Sequence, residues 1–234
     1  MNAALLEIPP MLDRRPVVWS YSLLNCFRNI CPHQGEARYL TRTIKFVETP
    51  EIKFGNQVHT AFEHRIGGGK PLPLEMHQWE KYAAPFDGRR ASVEQWFHID
   101  TAGRACERNS SDKFGHGKLD LVCIDGATAY IGDWKTGNSK YEDPFELEVG
   151  AVLLKAKHPH LTKIVGNYIW LKDDRVSKPY DLSNTAQTWA EICSIMQTIY
   201  NYRKIGEFPK RQSPLCGYCQ RYDCENNTNP QRPS

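Results

Sequence analysis

The stretch GHGKLDLVCIDGATAYIGDWKTG, residues 115–137, places Asp120 and Asp133 in segments otherwise apolar enough to be buried strands, with Lys135 two residues after Asp133. Side chains two apart on a strand share a face, so Asp133 and Lys135 project together and Trp134 points the other way. A hairpin would bring Asp120 towards Asp133. Two buried carboxylates at close range repel, and one must take a proton unless a cation sits between them. Oxygen ligands suit magnesium or manganese. An adjacent ammonium can then orient a water or offset charge developing on a phosphate. A salt bridge at a strand edge is the ordinary account of a bare D-x-K. Here the tripeptide follows a G-x-x-D strand and a short turn, and continues into T-G.

Cysteines make a second group. Cys216, Cys219 and Cys224 are spaced C-x2-C-x4-C in a tail, EFPKRQSPLCGYCQRYDCENNTNPQRPS, that is polar, Pro-rich and poor in aliphatics. Such a tail cannot build a core by itself, so something else must order it. Three thiolates need a fourth ligand for a closed site, and Cys26 and Cys31 compete for that place. Four thiolates fit either zinc or an iron–sulfur cluster. Cys26, Cys106, Cys123 and Cys193, scattered or in apolar contexts, read first as free, buried thiols.

The elements that must position these groups follow from periodicity. Residues 20–29 suit a short helix capped by Ser20 or Ser22, stopped at Cys31-Pro32. Residues 51–66 read as a helix with Phe54, Val58, Ala61, Phe62 and Ile66 as its apolar stripe. His59 and Glu63, four apart, share one face of it. The glycines at 67–69 end it. Residues 91–99 alternate as a strand, 117–124 and 128–135 form a hairpin about a short turn, and 162–171 is a further strand. Residues 143–156 look helical, with Asp143 as N-cap and Pro144 at the first helical position. Residues 183–204 form the longest helical pattern, closed by Gly206.

With 234 residues the chain can build one sizeable core. A formal charge of +3 permits an anionic partner without demanding one. No apolar run approaches the roughly 18 residues of a membrane span, and MNAALLEIPPMLDRR does not read as a signal peptide. The expectation is a protein of the cytoplasm, with no membrane partner. The absence of G-x-x-x-x-G-K-[ST] leaves no visible nucleotide-driven motor.

GKLDLV and YIGDWKTG together resemble the catalytic core of the PD-(D/E)XK nuclease superfamily, in its RecB-like branch. YSLLNCFRNICPHQGEARY is similar to that branch's opening segment, FGNQVHTAFEH to its helix bearing G-x-x-x-H, and GEFPKRQSPLCGYCQRYDC to its cysteine-rich ending. The resemblance covers most of the chain. It implies that Asp120 and Asp133 ligate Mg2+ or Mn2+ with help from the Trp134 carbonyl, that Lys135 assists a water, and that His59 completes the metal site. Glu63 reads as a solvated acid or an outer partner. The branch usually carries Q-x-x-x-Y on the helix after the D-x-K strand. Here Glu146 and Gly150 stand at those places, a negative charge for an amide and no side chain for an aromatic ring. Iron–sulfur nucleases of this branch, AddB-type domains and CRISPR-associated exonucleases among them, use one early and three late cysteines. That implies a 4Fe–4S cluster on Cys31, Cys216, Cys219 and Cys224 in preference to structural Zn2+.

The resemblance thus implies one α/β domain over residues 1–234 with a restriction-endonuclease-like core, a central mixed β-sheet flanked by helices. An iron–sulfur staple would join segments 20–40 and 207–225, ahead of a disordered tail at 226–234. The implied activity is a metal-dependent DNA exonuclease acting on single-stranded or frayed ends, in recombination, repair or phage DNA metabolism of a bacterial, archaeal or phage-infected cell. DNA is the implied partner, with a recombination, helicase or CRISPR-adaptation protein beside it. Lys118, Arg28, Lys140 and Tyr141 could guide a strand and are equally ordinary surface residues. A different class is an inactive nucleic-acid-binding or assembly subunit that keeps the fold and a structural metal. The altered helix at Glu146 favours it, and the intact Asp120, Asp133 and Lys135 weigh against it.

Overall fold

The computed structural model describes residues 16–45 and 47–231; the leader reading of residues 1–15 and the side chain of Tyr141 lie outside the described residues. In chain order the helices are α1 (Tyr21–Asn25), α2 (Pro32–Gly35), α3 (Pro50–Gly68), α4 (Glu80–Ala83), α5 (Phe145–Lys157) and α6 (Thr185–Ile205). The strands are β1 (Ala91–Asp100), β2 (Lys113–Asp125), β3 (Thr128–Lys135), β4 (Lys163–Trp170), β5 (Arg175–Val176) and β6 (Tyr180–Asp181). The chain divides into two compact units, one of residues up to Val47 with those from Ala190 onward, the other Glu48–Trp189.

The second unit holds the mixed six-stranded sheet that the sequence leads one to expect, flanked by helices. Its order is β1-β2-β3-β4-β5, with β6 also on β4. β1, β2 and β3 pair antiparallel, β3 and β4 parallel, and α5 makes the crossover that a parallel pair requires. The β2–β3 hairpin turns at Gly126, whose φ of 56° only glycine adopts freely. Leu121 faces Gly132 in its register, which places Asp120 at the level of Asp133.

Alternation along β3 decides where the core lies. Trp134 points to α3, where its ring stacks on Phe62 at 4.2 Å between centroids. Val58, Ala61, Leu121, Ile169 and Leu171 close around this pair, with Leu72, Met76 and Trp79 from the connection after α3. Thr49 caps α3 by accepting from the Ile52 amide, and Gly69, at φ 66°, ends it in the left-handed conformation. Asp143 accepts from the Phe145 amide, so the expected cap of α5 holds while regular helix begins at Phe145.

In the first unit, Ser20 caps α1 and accepts from the Leu23 amide. The helix widens into a π-helical turn, Cys26–Ile30, closed by Cys31 N–H to the Cys26 carbonyl at 2.9 Å, and stops at Cys31-Pro32 as expected, with Cys31 extended at φ −162°. The cysteine tail packs here: Phe208 meets Phe27 edge-on, the His33 amide donates to the Pro209 carbonyl, and Arg221 bonds Glu36, Asp223 and the His33 carbonyl. Just beyond the last cysteine, buried Asn227 donates to the carbonyls of Cys219 and Arg221. Residues 232–234 lie outside the described residues. Among the described residues no helix is long and apolar enough to cross a membrane.

Phe62→Ala removes half of the stacked pair under the sheet. It is expected to cost about 3–5 kcal/mol, read as a shift in the denaturant midpoint. Phe54→Ala, on the same helix but at a residue 42% exposed, is expected to cost less than about 1 kcal/mol.

Candidate active site

Three elements of the second unit converge on one acidic group. α3 brings His59, β1 brings Glu94 and β2 brings Asp120. One ligand atom from each lies within 4.8 Å of the others, and among the described residues this is the one such group of three or more. His59 Nδ1 is 3.0 Å from Glu94 Oε1 and 3.3 Å from Asp120 Oδ1. Asp120 is 7% exposed, and its second oxygen accepts from the Trp134 amide at 3.0 Å. The Trp134 main chain therefore meets this group through its N–H, which fixes the carboxylate orientation.

Glu94 was not singled out from the sequence. A glutamate in a half-exposed strand is ordinarily a solvated residue, and the alternation ASVEQWFHI gives no reason to suspect otherwise. The structure supplies the reason in its backbone. Glu94 has φ 52°, in the left-handed region, between the regular pairs Val93–Leu121 and Gln95–Leu119. Such strain costs on the order of 1–3 kcal/mol and persists only where surroundings enforce it. Here it accompanies a carboxylate bonded by His59 and paired with Lys118. Burial works against charge on Glu94, yet His59 and Lys118 outweigh it and hold the carboxyl below its usual range.

Asp133 and Lys135 sit beside this group on the opposite face of β3 from Trp134. Lys135 Nζ is 2.8 Å from Asp133 Oδ2 and 2.6 Å from Glu146 Oε2. The approach to Asp133 is close but off the hydrogen-bonding direction, so this buried oxygen has a charge nearby and no directed donor. Burial drives the Asp133 pKa up, opposed by Lys135 and reinforced by Asp120 and Glu146. For Lys135 burial opposes the charge, but Asp133 and Glu146 prevail and keep the ammonium protonated. Glu146 thus faces the site as an anchor for Lys135. Gly150 is buried against Leu119 of β2, and the aromatic neighbour of Lys135 comes instead from β4, where the Tyr168 ring centroid lies 5.5 Å from Nζ. Glu63 is exposed and stands outside the group.

The donors fit a hard divalent cation. Two carboxylates and an imidazole converge, and the buried Asp133 oxygen without a directed donor adds an acceptor nearby. In the metal-free protein a proton competes for the same atoms. Burial opposes charge on the His59 ring, but Asp120 and Glu94 outweigh it and push its pKa up to about 10.

In the first unit, Cys31, Cys216, Cys219 and Cys224 line one cavity. Cys26 is not among its lining residues. It is buried, its thiol pushed up to about 11 chiefly by burial. The Arg211 amide lies 3.4 Å from the Cys31 sulfur and the Arg221 amide 3.4 Å from that of Cys219, whose thiol pKa is nonetheless raised, chiefly by burial.

A histidine raised from about 6.5 to about 10 stabilises the folded, metal-free state fully below pH 6.5, and this contribution is lost as pH rises towards 10. The melting-temperature advantage of wild type over His59→Gln in chelator should therefore shrink steadily across that range. Ring NMR should find His59 still charged at pH 8, and Glu94→Gln should lower its pKa.

The family model of the PD-(D/E)XK nuclease superfamily matches residues 18–224. Among solved structures, that of SSO0001 is similar at TM-score 0.50 and 17% identity, covering 88% of this chain and 84% of that one. A candidate exonuclease from Eubacterium rectale is similar at TM-score 0.49 and 14% identity, covering 87% of each chain. No curated protein matches the sequence. The match extends over both cysteine segments and every acidic residue of the site, and the chain belongs to the PD-(D/E)XK nuclease superfamily.

Proposed function

We propose that this chain is a Mg2+- or Mn2+-dependent DNA exonuclease acting on single-stranded or frayed ends. The observation that carries the reading is the convergence of His59, Glu94 and Asp120 beside the Asp133–Lys135–Glu146 chain. His59, Asp120 and Asp133 would hold the cation, with Glu94 as a further oxygen donor. When bound, a divalent cation supplies Lewis acidity at a phosphate oxygen and makes water a better nucleophile at neutral pH. The chain's own residues do the rest. Glu146 orients Lys135, whose Nζ keeps its proton and offsets charge developing on the phosphate. The Trp134 amide holds Asp120 in place.

The same reading gives Cys31, Cys216, Cys219 and Cys224 a 4Fe–4S cluster. The assignment follows from the family resemblance, and what supports it here is the one cavity that these four cysteines line. Its role would be structural, at the packed junction of the early helices and the tail.

The test is cleavage of end-labelled single-stranded and duplex DNA beside closed circles, in Mg2+ and Mn2+. Linear substrates are expected to be degraded and circles spared. Asp133→Ala and Lys135→Ala are expected to lose roughly 10²–10⁴-fold in rate. Cut circles would replace the exonuclease by an endonuclease, and inertness of metal-loaded wild type would favour the binding-subunit class.

Anaerobically purified protein is expected to be brown and to carry about four irons per chain. Cys31→Ser should lose them while Cys26→Ser retains them. Stoichiometric zinc without iron would overturn the cluster.

A further inference from the structure

The rim of the sheet carries a group that the reaction above does not use. Trp96 of β1 is 57% exposed, although it is the largest side chain available for burial. In the β1–β2 pairing Trp96 stands opposite Lys118, and His98 opposite His116. Directly opposed residues of an antiparallel pair share a face, so these four project together. Trp96 and His98 lie nearly parallel, at 18° with centroids 6.4 Å apart, and His116 is 5.7 Å from Trp96 and 6.3 Å from His98. Three flat rings form one patch.

Basic residues stand at both ends of the patch, each with an acidic neighbour, Glu94 at one end and Glu107 at the other. At one end Lys118 pairs with Glu94, which bonds His59, so the patch runs into the acidic group through direct contacts. At the other, Lys113 sits near both histidines and Arg108 near His98. Burial first, and then these charges, hold the His98 pKa below its ordinary value. Burial does the same for His116, followed by Lys113 and His98. Uncharged imidazoles present open π-faces, and His116 Nδ1 is buried without a hydrogen-bond partner. Rings flanked by cations match a strand that offers base faces and phosphates together. Paired bases keep their faces inside the stack, so the match is to a single strand.

We infer that Trp96, His98 and His116 form a base-stacking platform for single-stranded DNA, joined through Lys118 to the acidic site. The strand crosses this platform beside the phosphate that reacts. The assignment rests on the nuclease reading for its substrate.

The test is equilibrium binding by fluorescence anisotropy, with full-length protein in chelator and a labelled oligo(dT) of about 12 nucleotides. Trp96→Ala is expected to bind roughly 5- to 100-fold more weakly, with Trp96→Phe recovering most of the affinity. An all-abasic strand of the same length should bind wild type and Trp96→Ala alike. An unchanged melting temperature for Trp96→Ala, as its exposure predicts, keeps the comparison clean. Unaltered oligo(dT) binding by Trp96→Ala, or equal wild-type affinity for abasic and dT strands, would overturn the platform. The readout needs no cleavage. Tryptophan-dependent dT binding by a protein inert in the cleavage assay would sink the nuclease reading and keep the platform; an active protein indifferent to Trp96→Ala would do the reverse.

Discussion

Trp134 is the residue on which the site depends, because it acts in two directions at once. Its ring stacks on Phe62 and ties β3 to α3, the helix that carries His59. Its main-chain amide holds Asp120 across the hairpin. Strand alternation then sends its two neighbours, Asp133 and Lys135, to the opposite face, where α5 offers Glu146. One buried indole thereby sets the spacing between an apolar core and a charged pocket. This is why charge can be tolerated so deep in the sheet: each charged group is held by a neighbour whose own position the core enforces.

In the metal-free pocket burial and neighbouring charges work against each other, group by group. Asp133 is driven towards its neutral form, while His59 and Lys135 are held charged by carboxylates that outweigh their burial. Glu146 supplies a second carboxylate to Lys135, so the ammonium is held from α5 as well as from β3, with the Tyr168 ring of β4 beside it.

The cysteine segments follow a different logic. A tail poor in aliphatics needs a partner, and the thiols are the obvious candidates from sequence. The structure adds Arg221, which alone bonds Glu36, Asp223 and the His33 carbonyl, and Asn227, which ties residues beyond the last cysteine back to Cys219. Polar side chains hold the early helices and the tail together within one unit, around a cavity lined by Cys31, Cys216, Cys219 and Cys224.

Whereas the grouping of Cys31 with the tail cysteines came from the family resemblance, sequence alone determined the helix of His59, the Asp120–Asp133 hairpin and the D-x-K pairing, because each rests on short-range periodicity or on spacing within a recognisable motif. It could not place Glu94, whose strained backbone and contact with His59 exist only once β1 lies beside β2 and α3. Nor could it say that Glu146 would bond Lys135, that Trp96 would stand opposite Lys118, or that Asn227 would order the tail. These depend on register and on packing between separate segments, His59 and Glu94 being 35 residues apart, and no local pattern in the chain records where such segments meet.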